Sequence, residues 1–399
     1  MTKPTFDLVI FSNAPGEIAT WVYPVWSELK PICPNYGIRV SVVLSPCPHA
    51  NGTEAEIIHG WGVDRVLAPE HFWSFLLWGK TPDWDWCKQG AVLFLGGDQF
   101  YPVVAGKRLG YPIWIYAEWT ARWLPWIDGI FARSANVPVP VKYQSKLTVV
   151  GDLMLCRSTT NPEPLPLDPD RPLIVLMPGS KHQKLTLGVP LFLGTAYELS
   201  LARPDLQFAI PLAPTITPEK LISYAPAGFR LAGDRVILPS DQVVHLYSPF
   251  PATNLLAKAT LCITTIGANT AELASLGIPM LVVLPTGESQ ISTRVAWDGI
   301  LGLINYNRTI SRWINQYMVN QIRKRQQKLA WPNIWANREI VPELWGDINP
   351  QFLAKTTLGY LQNSAKLAQM RADLLEVSGH NQQGNAAQKI RARVIQEAQ

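Results

Sequence analysis

Three short stretches of this 399-residue chain set small residues and charge at the point where a buried apolar run stops. LMPGSKHQK, residues 176–184, runs an apolar segment into Pro-Gly-Ser and then Lys181, His182 and Lys184. Small residues let backbone N–H groups approach an anion and a lysine adds positive charge, so Gly179, Ser180 and Lys181 suit a phosphate. A turn that is merely basic reads the same way. In ITTIGANTAELASLGIPM, residues 263–280, the apolar run ends at Thr265 and Gly267 permits a sharp turn. A helix beginning near Asn269 then carries Thr270 and Glu272 in its first turn. Such a helix N-terminus can face a diphosphate, and Glu272 is placed to accept hydrogen bonds from two ribose hydroxyls. Together the two stretches describe a nucleotide-sugar pocket.

The third stretch, AVLFLGGDQF (91–100), puts Asp98 just beyond an apolar run, after two glycines that let a ligand come close. An aspartate there can take a proton from an attacking hydroxyl; capping the helix that follows is the equally open alternative. NAPGEIATW (13–21) has Gly16 for a strand-to-helix turn and Glu17 in the first helical turn, where an acid is favourable in its own right. It carries no G-x-G-x-x-G, so a dinucleotide site has little support. His182 and His245 lack metal-ligand spacing, and the five cysteines never form C-x-x-C. Neither a metal, a disulfide framework nor a cofactor is expected.

Positioning these residues requires buried strands. DLVIFS (7–12), RVSVVLS (39–45), AVLFL (91–95), IWIYA (113–117) and GIFAR (129–133) are continuous apolar runs, as in parallel sheets covered on both faces, with a helix expected from about Glu17 to Lys30. CRSTTNPEPLPLDPDRP (156–172) holds five prolines and reads as a linker. LIVLMPGS (173–180), QFAIPL (207–212), RVILP (235–239), ATLCITT (259–265) and IPMLVVLP (278–285) begin a second series, with a helix around 189–203. The pattern predicts an α/β fold of two Rossmann-like domains, 1–155 and 173–308, with ligands in a cleft at the strand carboxyl ends. Residues 309–399 read as a helical tail packing across domains or between subunits. Its first helix would show Trp313, Tyr317, Met318 and Ile322 on one face, and further helices are expected at about 350–377 and 386–398.

Composition narrows the class. At 47% hydrophobic and 16% charged the chain folds, with a charge content low for a fully soluble surface. No run of 18 apolar residues and no signal peptide is present, so a cytoplasmic location is expected. The net charge is +5, and its densest cluster, RKRQQK (323–328), is either a solvated helix face or an attraction for phosphates and headgroups. Nucleic acid is not expected, because no recognition motif accompanies the charge. Eleven of the sixteen tryptophans precede residue 130, and HFWSFLLWGKTPDWDW (71–86) holds four of them. This segment is either an aromatic-rich core or a lipid-facing surface. In the second case Phe72, Trp73, Phe75, Leu76, Leu77 and Trp78 form the apolar body, with Lys80 at its edge.

Taken in order, these segments resemble the lipid-A-disaccharide synthase family, inverting glycosyltransferases of GT-B architecture. The most telling match is WPNIWANREIVPELW (331–345), similar to that family's Pro-Asn and Val-Pro-Glu-Leu blocks. The resemblance implies transfer of 2,3-diacylglucosamine from UDP to the 6-hydroxyl of 2,3-diacylglucosamine 1-phosphate, without metal or cofactor, on the inner face of the cytoplasmic membrane. Its partners would be the UDP-sugar donor, the acylated sugar acceptor and the membrane surface, and the C-terminal helices allow a homodimer. Asp98 would be the general base, with Glu17 matching the family's N-terminal Gly-Glu. Lys181 would neutralise the diphosphate, Glu272 hold the ribose and Asn333 lie near the donor. Three departures stand out: Ile-Ala-Thr replaces Ser-Gly-Asp after Glu17, Lys181 replaces an arginine, and IYAEWTARW differs from the family's segment. They leave open a divergent glycosyltransferase acting on another membrane lipid, a UDP-sugar epimerase, or a non-catalytic binder.

Overall fold

The computed structural model describes residues 4–13, 15–47, 50, 52–155, 166–285, 328–346, 348–379 and 386–399. The helix expected around Trp313 and most of RKRQQK and of the Pro-rich linker lie outside the described residues. The chain forms two compact units, Met1–Ser158 with Asn381–Gln399, and Thr159–His380.

The first unit is built on a parallel sheet of seven strands in the order β3-β2-β1-β4-β5-β6-β7. These are β1 (Phe6–Ser12), β2 (Ile38–Leu44), β3 (Arg65–Leu67), β4 (Gln89–Phe94), β5 (Ile113–Ala117), β6 (Gly129–Ala132) and β7 (Leu147–Val149). Every residue of β1 is buried, as expected of a central strand whose Leu8–Phe11 stretch is continuously apolar. Ser12 pairs with Leu44 and Phe11 with Phe94, so β1, β2 and β4 end on one edge. The helix expected from Glu17 divides into a turn (Pro15–Glu17), a π segment (Ile18–Val22) and α1 (Tyr23–Leu29). Pro24, two residues after the π segment ends at Val22, has no N–H for the turn before it, which gives the wider loop a local cause. Helices α2 (Pro69–Trp78) and α3 (Phe100–Leu109) follow.

At the opposite end of this sheet, fully buried Asp7 accepts hydrogen bonds from Nε and Nη2 of Arg39 at 2.7 and 2.9 Å and from the Cys87 N–H at 2.6 Å. Arg39 and Arg65 both reach Asp85. This clasp holds the Trp84–Trp86 segment inward, with Trp86 stacked on Phe75 at 5.9 Å.

The second unit carries eight strands in the order β10-β11-β12-β9-β8-β13-β14-β15. They are β8 (Leu173–Met177), β9 (Gln207–Pro211), β10 (Arg230–Ala232), β11 (Arg235–Ile237), β12 (Val243–Tyr247), β13 (Leu261–Thr265), β14 (Met280–Pro285) and β15 (Glu343–Gly346). From β12 to β15 the pairing is parallel; β10 and β11 add an antiparallel edge. Helix α4 (His182–Ala202) starts earlier than its apolar pattern predicts and tolerates Pro190 in its interior. By length and composition its Lys184–Ala202 stretch is apolar enough to cross a membrane. In this unit Leu185, Val189, Phe192, Leu193, Ala196 and Leu199 are core, beneath the sheet. Helix α5 (Asn269–Ser275) follows β13, and α6 (Trp331–Ala336), α7 (Pro350–Leu361) and α8 (Ser364–Gly379) complete the unit.

Helix α9 (Ala386–Ala398) belongs to the first unit, where Ala386, Ala387, Ile390 and Val394 enter the core with β1, β2 and α1. Arg391 pairs with Glu28 at 3.1 Å, and the Lys389 ammonium donates to the Val149 carbonyl. The described helices of the expected tail are thus divided: α6–α8 bury their apolar residues in the second unit and α9 in the first. Truncating a fully buried side chain leaves a cavity, so Ile390→Ala should lower the unfolding free energy of the first unit by about 2–4 kcal/mol, measured by denaturant titration of tryptophan fluorescence.

Candidate active site

In the second unit, Thr264 of β13 pairs with Met177 of β8, so the Pro-Gly-Ser turn and the Ile-Gly-Ala turn leave the sheet side by side. Gly179 has φ +100°, and a Cβ there would lie 2.8 Å from Cδ of Lys184 and 3.3 Å from Oγ1 of Thr265. Gly267 has φ +154°, and a Cβ there would lie 2.9 Å from Nζ of Lys184. The Lys184 side chain therefore runs along both glycines, and its ammonium donates to the Ile266 carbonyl. Burial and the Lys181 charge bring its pKa down to about 8. Lys181 itself is the extended N-cap residue of α4, partly exposed, and its carbonyl accepts the Lys184 and Leu185 N–H groups. Ser180 sits partly buried in the turn.

Glu272, in the first turn of α5, is partly buried, and removal from water pushes its carboxyl up to about 7. Among the described residues nothing donates to that carboxylate. Thr270 is committed elsewhere: its hydroxyl donates to the Gly267 carbonyl at 2.9 Å and accepts the Trp331 N–H at 3.1 Å. Asn269 remains partly exposed, with Nδ2 at 3.5 Å from Oγ1 of Thr264.

Asn333 corrects an expectation. Its side chain is buried and saturated, with Oδ1 accepting the Ile340 and Val341 N–H groups at 2.7 and 2.9 Å. Nδ2 donates to the Val341 carbonyl and to Oε1 of Glu343 at 2.8 and 2.9 Å. Glu343 also accepts the N–H groups of Leu329 and Ala330. The Pro-Asn and Val-Pro-Glu-Leu blocks therefore tie α6 to β15. An amide with all four positions filled has nothing left for a ligand.

In the first unit, Gly97 has φ +94° and its Cβ would lie 2.8 Å from Oγ of Ser45; that of Gly96 would lie 3.2 Å from Cβ of Glu17. The two glycines thus bring Glu17 and Asp98 to one sheet edge. Asp98 caps α3, its Oδ1 accepting the Phe100 N–H at 2.9 Å, while Oδ2 receives no hydrogen bond among the described residues. Buried Gln99 donates to the Thr120 carbonyl at 2.9 Å and accepts the Arg122 N–H at 2.7 Å. Arg133, just past β6, donates to the Glu118 carbonyl, lies 4.1 Å from the Trp119 ring centre and pairs with buried Asp152 at 3.6 Å. Gln99, Arg133 and Asp152 hold the 118–123 loop at this edge and escaped the sequence reading. Arg133 at the end of GIFAR was the one local signal; a buried glutamine leaves none. Among the described residues no three potential metal ligands cluster.

The tryptophan-rich segment is divided between core and surface. Phe72, Phe75 and Leu76 are 0%, 1% and 4% exposed and belong to the core, where both phenylalanine rings lie against Phe11. As lipid contacts they are corrected: α2 turns them onto the sheet. Trp73, Leu77 and Trp78 are 46%, 52% and 65% exposed. Phe100, Trp119, Trp123 and Trp126 are exposed as well, with Phe100 against Trp123 at 4.7 Å and Trp123 near Trp126 at 5.7 Å. Trp73 reaches Tyr101 on α3 at 6.0 Å.

No family model matches the chain. It is 26% identical over 163 residues to lipid-A-disaccharide synthase 1 of Legionella pneumophila (strain Paris), covering 40% of this chain and 38% of that protein. With the lipid-A-disaccharide synthase of Myxococcus xanthus (strain DK1622) it shares 26% identity over 272 residues, 67% of this chain and 58% of that protein. The chain is similar to the lipid-A-disaccharide synthases. It spans between 38% and 58% of the length of these two relatives. Among solved structures, a putative UDP-N-acetylglucosamine 2-epimerase from Listeria monocytogenes superposes with TM-score 0.54 at 16% identity, covering 98% of this chain and 95% of that one. A UDP-glucose:anthocyanidin 3-O-glucosyltransferase in complex with UDP gives TM-score 0.50 at 13% identity, covering 100% and 99%. At these identities the likeness is one of fold: two parallel-rich sheets with a helical C-terminal region, as in GT-B glycosyltransferases.

The departures from the synthases' motifs have local consequences. Where that family has Ser-Gly-Asp, Ile18 is core and the Thr20 hydroxyl donates to the Gly16 carbonyl at 2.8 Å, inside the π segment. The raised carboxyl of Glu272 also makes stability depend on pH. Below about pH 4.5 the group is protonated whether folded or not; as pH rises toward 7 the unfolded chain ionises first, so the folded state loses stability. Glu272→Gln should therefore stabilise the ligand-free protein by on the order of 2–3 kcal/mol at pH 8 and by little at pH 4, as read by the difference in Tm.

Proposed function

We propose that the chain is an inverting glycosyltransferase of the lipid-A-disaccharide synthase type, transferring 2,3-diacylglucosamine from UDP to the 6-hydroxyl of 2,3-diacylglucosamine 1-phosphate and releasing UDP. The observation that carries this reading is the side-by-side placement of the Gly179 and Gly267 turns, followed by a partly buried Glu272 whose carboxylate accepts no hydrogen bond among the described residues. Backbone N–H groups and lysine charge at those turns suit a diphosphate, and a carboxylate with no donor among the described residues suits a ribose diol. Donors of this class are supported by the UDP and UDP-sugar complexes among the structural neighbours.

Asp98 takes the acceptor proton through Oδ2 as the bond to UDP breaks, and Glu17 supplies a second carboxylate at the same edge. Positive charge at the donor turns stabilises the departing diphosphate, so the reaction needs no metal. On this reading the exposed tryptophans of α2 and of the 118–126 loop meet an acylated acceptor at the inner face of the cytoplasmic membrane, which their exposure supports. A second reading, transfer to another membrane lipid, is favoured by one observation: Ile18, Ala19 and Thr20 occupy the place of the family's acidic segment and are used by the π segment.

UDP release with UDP-diacylglucosamine, with and without the acylated glucosamine 1-phosphate, tests the reaction. Asp98→Asn keeps an oxygen for the Phe100 cap and removes the base, so acceptor-dependent release should fall by about 10²- to 10⁴-fold, with EDTA leaving the wild-type rate unchanged. Release that is equal with and without acceptor sinks the synthase reading; release restored by a different acylated lipid selects the second one. Replacing Leu77 and Trp78 together by serine should reduce sedimentation with anionic phospholipid vesicles several-fold while far-ultraviolet dichroism stays unchanged, since both side chains are exposed.

A further inference from the structure

Lys184 has an unusual setting. Its stem passes Gly179 and its ammonium stops at Gly267, the two positions where a side chain would strike it. The ammonium makes one hydrogen bond among the described residues, to the Ile266 carbonyl, and no ion pair among them. Two of its three N–H donors are therefore unspent. Beside it Thr265 is 5% exposed, its Oγ1 has no hydrogen-bond partner among the described residues, and this oxygen lies at the Gly179 turn. A partly buried cation with spare donors and a buried hydroxyl with no partner among the described residues, side by side, are both costly unless something else completes them. The N-terminus of a 21-residue helix adds its positive end to the same turn. The sum is a small site with surplus donors and surplus positive charge, complementary to an anion with several oxygens.

We propose that Lys184, together with the Thr265 hydroxyl, anchors the diphosphate of the bound nucleotide and makes the site prefer a nucleoside diphosphate to a nucleoside. This rests on reading the second unit as the UDP-sugar site, and it moves to Lys184 the role that the family resemblance implies for Lys181. Lys181 is the N-cap residue and is partly exposed, as Lys184 is; what sets Lys184 apart is that its side chain is the one found against both glycine turns. The chain reaches Lys184 one helical turn later, where α4 has already turned the side chain across both glycines. Both glycines are required on this account, since any Cβ at either would displace the lysine. Lys184 acts as a binding and positioning group, holding the leaving diphosphate while the bond to the sugar breaks.

Calorimetric titration of the full chain with UDP, UMP and uridine tests the assignment. Lys184→Met should weaken UDP by about 10- to 100-fold and leave uridine unchanged, whereas Lys181→Met should change UDP by less than about 3-fold. Thr265→Val, nearly isosteric, should weaken UDP by about 3- to 10-fold, again without effect on uridine. An unchanged ratio of UDP to uridine affinity in Lys184→Met overturns the proposal, as does a larger loss in Lys181→Met. If Lys184→Met loses uridine as well, Thr265→Val decides, and an unchanged ratio there overturns it. Wild-type protein that binds UDP no better than uridine removes the nucleotide-sugar reading and this assignment together; UDP preference that survives Lys184→Met removes the assignment alone.

Discussion

The parallel pairing of β13 with β8 is the constraint on which the second unit's chemistry depends. Because Thr264 lies opposite Met177, both strands stop at the same level and both release their chains into glycine turns on one edge. A displacement of the register would separate Gly179 from Thr265 and Gly267, and Lys184 could not lie along both. The glycines matter for the room they leave as much as for their backbone angles: a lysine side chain occupies the space where their Cβ atoms would be. Hydrophobic burial of LIVLM and LCITT supplies the force that holds this register, since all ten residues are buried.

The first unit follows the same rule with different means. Its glycines let Glu17 and Asp98 share an edge, and two buried polar side chains then bring the 118–123 loop to them. Gln99 does so by bonding backbone on both sides of the loop, and Arg133 by lying under Trp119 while paired with Asp152. At the far end Asp7 and Arg39 fasten the Trp84–Trp86 segment inward. Buried pairs of this sort contribute less to stability than their number suggests, because desolvation offsets much of the attraction; their effect is on which conformation is chosen. Here they hold Trp84 and Trp86 partly buried against the core, while Trp119 stays exposed beside Arg133.

Much of this architecture was legible in the residues. Continuous apolar runs marked the central strands of both sheets, because a strand buried on two faces has no polar alternation to confuse it. β3, β7 and β10, at three residues each, were too short to stand out, and β12 was masked by His245 in its middle. The start of α4 was missed because its first turn is polar and glycine-flanked while its apolar face begins later. Asn333 was misread for a different reason. A similarity of motif marks a residue as part of a shared structure, and this buried amide is saturated by backbone groups and by Glu343 within its own unit.

By itself the sequence determined the α/β class, two successive strand series, and the turns at which charge follows small residues, since all of these follow from local pattern and steric freedom. Tertiary structure alone decided that α9 completes the core of the first unit, that Phe72, Phe75 and Leu76 turn inward while Trp73, Leu77 and Trp78 do not, and that Lys184 rather than Lys181 lies along both glycine turns. Spacing tells which residues share a face. Which face meets a sheet, and which ammonium is laid across two turns, depends on elements that arrive from far along the chain.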